Sequence, residues 1–156
     1  GSGLVSFCFA KDVREIKGLD YSSGMIEVYN EKAKKIGLGN ISGKIHDINH
    51  EELEKDIFDL VVTNMTMHHI NKPFDFINKL AKSLKSHGKL FIPDLCLEDG
   101  TFHSDNADVV HFGFEAKTIE EAFFQAGLEN IKIEKLHSIH KLSKTYDIFL
   151  ATGSKK

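Results

Sequence analysis

Ile57-Phe58-Asp59-Leu60-Val61-Val62-Thr63-Asn64 decides the fold class. Its apolar centre of β-branched and aliphatic residues ends in two polar ones, the pattern of a parallel strand buried on both faces. Downstream, Pro73 suits a first helical turn. Ile77, Leu80, Ala81 and Leu84 then share one helical face, and Gly88 stops that helix. Residues 89–95 make the next strand. Upstream, Arg14-Glu15-Ile16-Lys17-Gly18-Leu19-Asp20 reads as a short strand ending in an acid. A helix follows with Met25, Tyr29, Ala33 and Ile36 in one stripe, capped by Ser22 or Ser23 and closed by Gly37. Residues 41–48 form a weaker strand, and 51–54 a helical turn.

Beyond 95 the chain changes character. Residues 96–113 are polar and aromatic and read as a long loop. Thr118 and Glu121 have capping-box spacing for a helix whose apolar side is Ile119, Ala122, Phe123 and Ala126, ended by Gly127. Residues 130–142 and 146–152 are strand-like and close enough to form an antiparallel hairpin. The aromatic set Phe7, Phe9, Phe123 and Phe124 is read as core, and Lys32, Lys34 and Lys35 as a solvated helix face.

Strands alternating with helices define an α/β domain with a doubly wound, mostly parallel sheet. Such sheets bind ligands beyond the carboxyl ends of their strands. Those ends carry Asp20, Asp47, Asn64 and Asp94 in turn. Any one alone is an ordinary turn residue; four at successive strand ends are a constellation.

Length and charge narrow the function classes. The 156 residues fit one domain, with 41% hydrophobic and 28% charged residues. Twenty basic against 23 acidic residues give a net charge of −3, which argues against a broad nucleic-acid-binding face. Two cysteines, Cys8 and Cys96, supply neither a disulfide framework nor a zinc motif, so a reducing cytoplasm is the natural setting. Cys96 lacks an activating basic pair and is read as a packed or idle thiol. No apolar run approaches the ~20 residues that span a bilayer, and no signal peptide opens the sequence. Among nine histidines, His46 and His50 have the nearest approach to ligand spacing, and no metal is expected from it.

Several segments resemble class I S-adenosylmethionine-dependent methyltransferases. They are Gly1-Ser2-Gly3-Leu4, Gly18-Leu19-Asp20-Tyr21-Ser22, Met25-Ile26-Glu27, Phe58 to Asn64 through Met67-His68-His69-Ile70, and Leu84-Lys85-Ser86-His87-Gly88-Lys89-Leu90. The likeness runs over essentially the whole chain and is nearest to small-molecule enzymes, including those that methylate quinones. It implies a single Rossmann-like domain over residues 1–156 with strand order 3-2-1-4-5-7-6 and the terminal hairpin. It also implies a start inside the glycine loop, with the family's first, central strand missing. The strand ending at Asp20 and the strand ending at Asn64 would then flank an empty slot of ~9–10 Å rather than pair.

The same resemblance implies roles. Gly1 and Gly3 would let backbone approach the methionine part of the cofactor. Asp20 would accept from both ribose hydroxyls, with Tyr21 beside it. Met25 would pack on the adenine, Asp47 would accept from its amino group, Ile48 would lie beside the ring, and Asn64 would line the donor site. His68 and His69 are candidate bases near the methyl donor. Phe102, His103 and His111, in the long loop, are candidate substrate contacts. The family's Pro-Gly-Gly turn reads Ser86-His87-Gly88 here, with Gly88 left for a left-handed position. The implied reaction is in-line transfer of the sulfonium methyl to a small-molecule acceptor, giving S-adenosylhomocysteine. A noncatalytic remnant with a lost cofactor loop and a nicotinamide-dependent oxidoreductase are the competing readings; the His-His segment and hairpin argue against the latter.

Overall fold

A computed structural model describes residues 1–141 and 143–156. The chain divides into two compact units, Gly1–Glu51 and Glu52–Lys156.

The first unit holds α1 (Leu4–Phe9), β1 (Ile16–Asp20), α2 (Ser23–Lys35) and β2 (Ile41–Ile45). β1 and β2 pair in parallel, Ile16 opposite Ile41 and Asp20 opposite Ile45. Ser22 caps α2, its Oγ accepting from the Met25 amide at 3.3 Å, and Gly37 follows the helix at φ 70°. The buried face of α2 is Ile26, Tyr29 and Ala33. Met25 and Ile36, expected on that face, are exposed. Tyr29 stacks on Phe7 with ring centroids 5.4 Å apart, at the centre of a cluster with Ala10, Ala33 and Ile41. This packing explains two glycines of the sheet. A Cβ on Gly18 or Gly43 would lie 2.6 or 2.9 Å from the Tyr29 ring.

The second unit holds β3 (Phe58–Val62), a 3-10 turn (Met67–His69), α3 (Pro73–Ser83), β4 (Leu84–Leu95), α4 (Ala116–Gln125), β5 (Leu128–Lys141) and β6 (Lys144–Lys155). Its four strands run in the order β3-β4-β6-β5, parallel at β3/β4 and antiparallel in the other two pairs. The terminal hairpin is as expected, with Leu142 outside the described residues. α3 packs on β4, and α4 on β5 and β6. Ile77, Leu80, Leu84, Leu90, Ile92, Ile119, Phe123, Phe149 and Ala151 are buried.

Several local expectations are corrected. β3 is an edge of its sheet, and Leu60 and Val62 are exposed, so it is not covered on both faces. α3 ends at Ser83, and the chain enters β4 at once, so Gly88 does not terminate the helix. The left-handed residue of that turn is His87, at φ 64°. Gly88 serves close approach instead: a Cβ there would lie 2.9 Å from the Lys85 carbonyl oxygen and 3.0 Å from that of Phe58. α4 starts two residues before the supposed Thr118 cap, with Glu115 as N-cap and no side-chain capping bond. Residues 51–54 are not helical; the turn is at 48–50. Phe9 and Phe124 are exposed, whereas Phe123 is in the core. Adjacent helical residues point ~100° apart, so one of an aromatic pair faces outward.

Candidate functional site

In the first unit, parallel pairing places two acids at the same edge. The His46 amide donates to the Asp20 carbonyl at 2.9 Å, which continues the ladder and brings Asp47 alongside the end of β1. The Asp20 side chain is largely covered. Its Oδ1 accepts from the Ser22 amide at 2.8 Å, and its Oδ2 pairs with the Gly1 amino group. Asp47 accepts from the Asn49 amide at 3.0 Å and pairs with His50 Nδ1 at 2.7 Å. The His50 hydrogen bond, then the Asn49 amide, hold the Asp47 carboxyl below the usual carboxylate range. Tyr21 and Met25 are exposed, and Ile48 is half-buried. Gly3 takes φ 89° before α1, a backbone position that glycine alone adopts cheaply. Nothing surrounds the Cβ position of Gly1.

In the second unit, Asn64 is exposed just past β3, and Met65 follows with a left-handed φ of 51°. That irregular backbone swings the chain into the 3-10 turn carrying His68 and His69. Asp94, at the end of β4, fixes the turn. Its Oδ2 accepts from the Thr66 and Met67 amides at 3.1 and 2.8 Å. Its Oδ1 accepts from the Leu95 amide at 2.8 Å and from His68 Nδ1 at 2.7 Å. His68 is 1% exposed and Asp94 0%. All four bonds run to an acceptor-only carboxylate, so His68 carries its proton on Nδ1 and turns its Nε2 lone pair outward.

The long loop closes over this turn. The Val110 and His111 amides both donate to the His68 carbonyl at 3.0 Å. His69 Nδ1 donates to the Asp108 carbonyl at 2.6 Å. His103 Nε2 lies 3.1 Å from His68 Nε2. The rings of His68, His69 and His103 sit 4.1 to 5.5 Å apart. Burial, then the charges of His68 and His69, push the His103 pKa down.

The other expected loop contacts are placed differently. Phe102 is buried against Leu95, Tyr146 and Ile148, with Lys141 Nζ 4.0 Å from its ring centre. It supports His103 by edge contact at 4.9 Å and is not open to a substrate. His111 donates from Nε2 to the Ile70 carbonyl at 3.1 Å and so ties the loop down. Burial and the nearby Asp147 push the Cys96 thiol up, which keeps it a poor nucleophile. Sequence reasoning placed Asp94 among the strand ends but gave it no task, and it gave none to the Asp108 carbonyl. The fold alone brings His103 to His68.

An α/β fold with acids at adjacent carboxyl ends of parallel strands is of the Rossmann-like class. Residues 1–124 match the Methyltransferase domain family, and the chain belongs to that family. An uncharacterized methyltransferase of Schizosaccharomyces pombe is 34% identical over 148 residues, which is 85% of this chain and 52% of that protein. The chain spans about half the length of the curated relatives it matches. Among solved structures, YcgJ from Bacillus subtilis superposes with a TM-score of 0.82 at 15% identity, covering 100% of this chain and 88% of that one. A Haemonchus contortus phosphoethanolamine N-methyltransferase in complex with S-adenosyl-L-methionine gives a TM-score of 0.81 at 17% identity, over 99% of this chain and 46% of that one.

Proposed function

We propose that this chain binds S-adenosylmethionine and takes part in methyl transfer to a small-molecule acceptor, with S-adenosylhomocysteine as product. The observation that carries this reading is the side-by-side placement of Asp20 and Asp47 in a chain of the methyltransferase family. The residues fit the cofactor's polar groups. Asp20 presents a carboxylate at the end of β1 whose Oδ1 accepts from the Ser22 amide, and a ribose diol offers two O–H donors that such a carboxylate can accept. Asp47 is held ionised and half-exposed, suited to an exocyclic amine. Met25 and Tyr21 offer uncommitted apolar surface beside them, with Ile48 next to Asp47. Gly1 has open space at its Cβ position, and Gly3 holds the left-handed turn beside it, so the methionine part is assigned to this backbone. Asn64, exposed just past β3, is the candidate of the second unit for lining a donor site.

Bound S-adenosylmethionine supplies an already activated methyl group. The chain's own task is then to hold an acceptor in line and to accept its proton where its acidity requires that. His69 suits proton acceptance better than His68. Its Nδ1 proton is fixed by the Asp108 carbonyl, its Nε2 lone pair is left over, and it is only half-buried. His68, closed from solvent between Asp94 and His103, positions the turn. His103 stands at the open end of that chain of rings and is the loop residue best placed to meet an acceptor. The balance of charge favours a small molecule over a nucleic acid, and no described helix is long and apolar enough to cross a membrane.

Calorimetric titration of S-adenosylmethionine, S-adenosylhomocysteine and a nicotinamide dinucleotide separates the readings. Saturable binding of the first two and none of the third is expected. Binding of the dinucleotide alone would replace this function with hydride transfer, and binding of none would leave a remnant without cofactor.

A further inference from the structure

We propose that His68, His69 and His103 form a three-imidazole site for one divalent cation of the zinc class, with a fourth position open to water or an anionic ligand. One ring nitrogen from each lies within 4.8 Å of the other two. The His68 and His103 Nε2 atoms are 3.1 Å apart. Two nitrogens on a tetrahedral zinc at ~2.05 Å are about 3.3 Å apart, so this pair already stands near ligand spacing.

The surrounding bonds select the ligand tautomer. Zinc-binding imidazoles donate their second N–H to a carboxylate or backbone carbonyl, which orients the ring and raises the basicity of the other nitrogen. His68 does this to Asp94 at 2.7 Å, and His69 to the Asp108 carbonyl at 2.6 Å. Each therefore offers its Nε2 lone pair; on His69 this is also the nitrogen proposed for proton acceptance, so cation binding and base action are alternative states of that ring. The His68 Nε2 lone pair faces His103 Nε2 at 3.1 Å, so that position is filled either by an N–H donated from His103 or by a cation that both rings coordinate. The ionic groups facing His103 are Lys141 and, with a weaker effect, Glu98. Asp94 behind His68 supplies negative charge. The three residues come from a short turn and a distant loop, and no sequence spacing announces them. All of them lie in Glu52–Lys156.

The test uses untagged protein stripped with a chelator and then titrated with Co²⁺ or Zn²⁺ alone, without cofactor or acceptor. Its outcome is therefore independent of the cofactor reading. One equivalent of Co²⁺ should develop the strong visible absorption of four-coordinate cobalt, and one equivalent of Zn²⁺ should abolish it. His103→Ala and His69→Ala should each weaken binding by ~100-fold or more, since even outer partners of such sites account for ~10–100-fold. Both side chains are only half-buried, and circular dichroism confirms that each variant is folded. His137→Ala, on exposed β5, should leave affinity and spectrum unchanged. Sub-stoichiometric cobalt without the visible band would overturn the proposal in favour of a proton shared by His68 and His103. So would equal affinity in wild type and both folded variants.

Discussion

His68 Nδ1 lies 2.7 Å from Asp94 Oδ1, and both side chains are closed off from water. The Asp94 carboxylate gathers three backbone amides as well as the imidazole, so one side chain at the end of β4 sets the backbone of 66–68, the tautomer of His68 and the direction of its free lone pair. The end of one strand is thereby locked to the turn that follows its neighbour.

Asp94→Ala should therefore lower stability by at least ~2 kcal/mol, because three amides and a buried imidazole N–H lose their acceptor at ~1–3 kcal/mol for each one left unsatisfied. Urea denaturation of wild type and variant measures this. A loss below ~1 kcal/mol would mean that water or a neighbour replaces the carboxylate.

Gly113→Ala should perturb the site from a distance. Gly113 has φ 79°, and a Cβ there would lie 2.1 Å from the Cys96 carbonyl oxygen, next to the Cys96–Phe114 bridge that anchors the long loop. Backbone must move, at a cost of ~2–3 kcal/mol. Thermal unfolding should shift down by several degrees, and a Tm equal to wild type would show that the loop is not held at this point.

Asp99 gives a pH test. Its hydrogen bonds to Lys144, then Thr101, lower its pKa to about 2 from the usual 3.8, and Lys144 is raised in turn. A depressed folded pKa contributes stability that is present above the unfolded value and lost as pH falls through the folded one. Carboxyl NMR titration should place the Asp99 midpoint near 2, moving toward 3.8 in Lys144→Met. An unchanged midpoint in the variant would remove Lys144 as the cause.

His69 separates proton transfer from binding. In metal-free protein with a working acceptor, His69→Ala should slow methyl transfer by ~10²–10⁴-fold, the span of general base catalysis, while cofactor affinity stays within about twofold. Equal rates would leave His69 a structural role only.

Much of the fold was legible because it rests on local signals. Alternating strand and helix patterns, the Ser22 cap, Pro73 at the start of α3 and the terminal hairpin are all written within short windows. The acids at the strand ends were legible for the same reason. What failed were choices between adjacent residues of similar chemistry. Met25 and Ile26 are both apolar and both fit a helical stripe with Tyr29 and Ala33; packing against the first sheet selects Ile26. Phe123 and Phe124 pose the same ambiguity, although helix geometry alone requires one to turn out. His87 takes the left-handed position expected of the glycine beside it, because Gly88 is needed where the Lys85 and Phe58 carbonyls crowd the chain. The meeting of His68 with His103 was not legible. Thirty-five residues and a folded loop separate them, and no fixed spacing encodes their approach.

The central claim is that Asp20 holds the ribose of S-adenosylmethionine. Calorimetry on wild type and Asp20→Ala tests it most directly. Losing the acceptor for a ribose diol costs ~1–3 kcal/mol, so the variant should bind about 5–150-fold more weakly while remaining folded. Equal affinity in a folded Asp20→Ala would contradict the account.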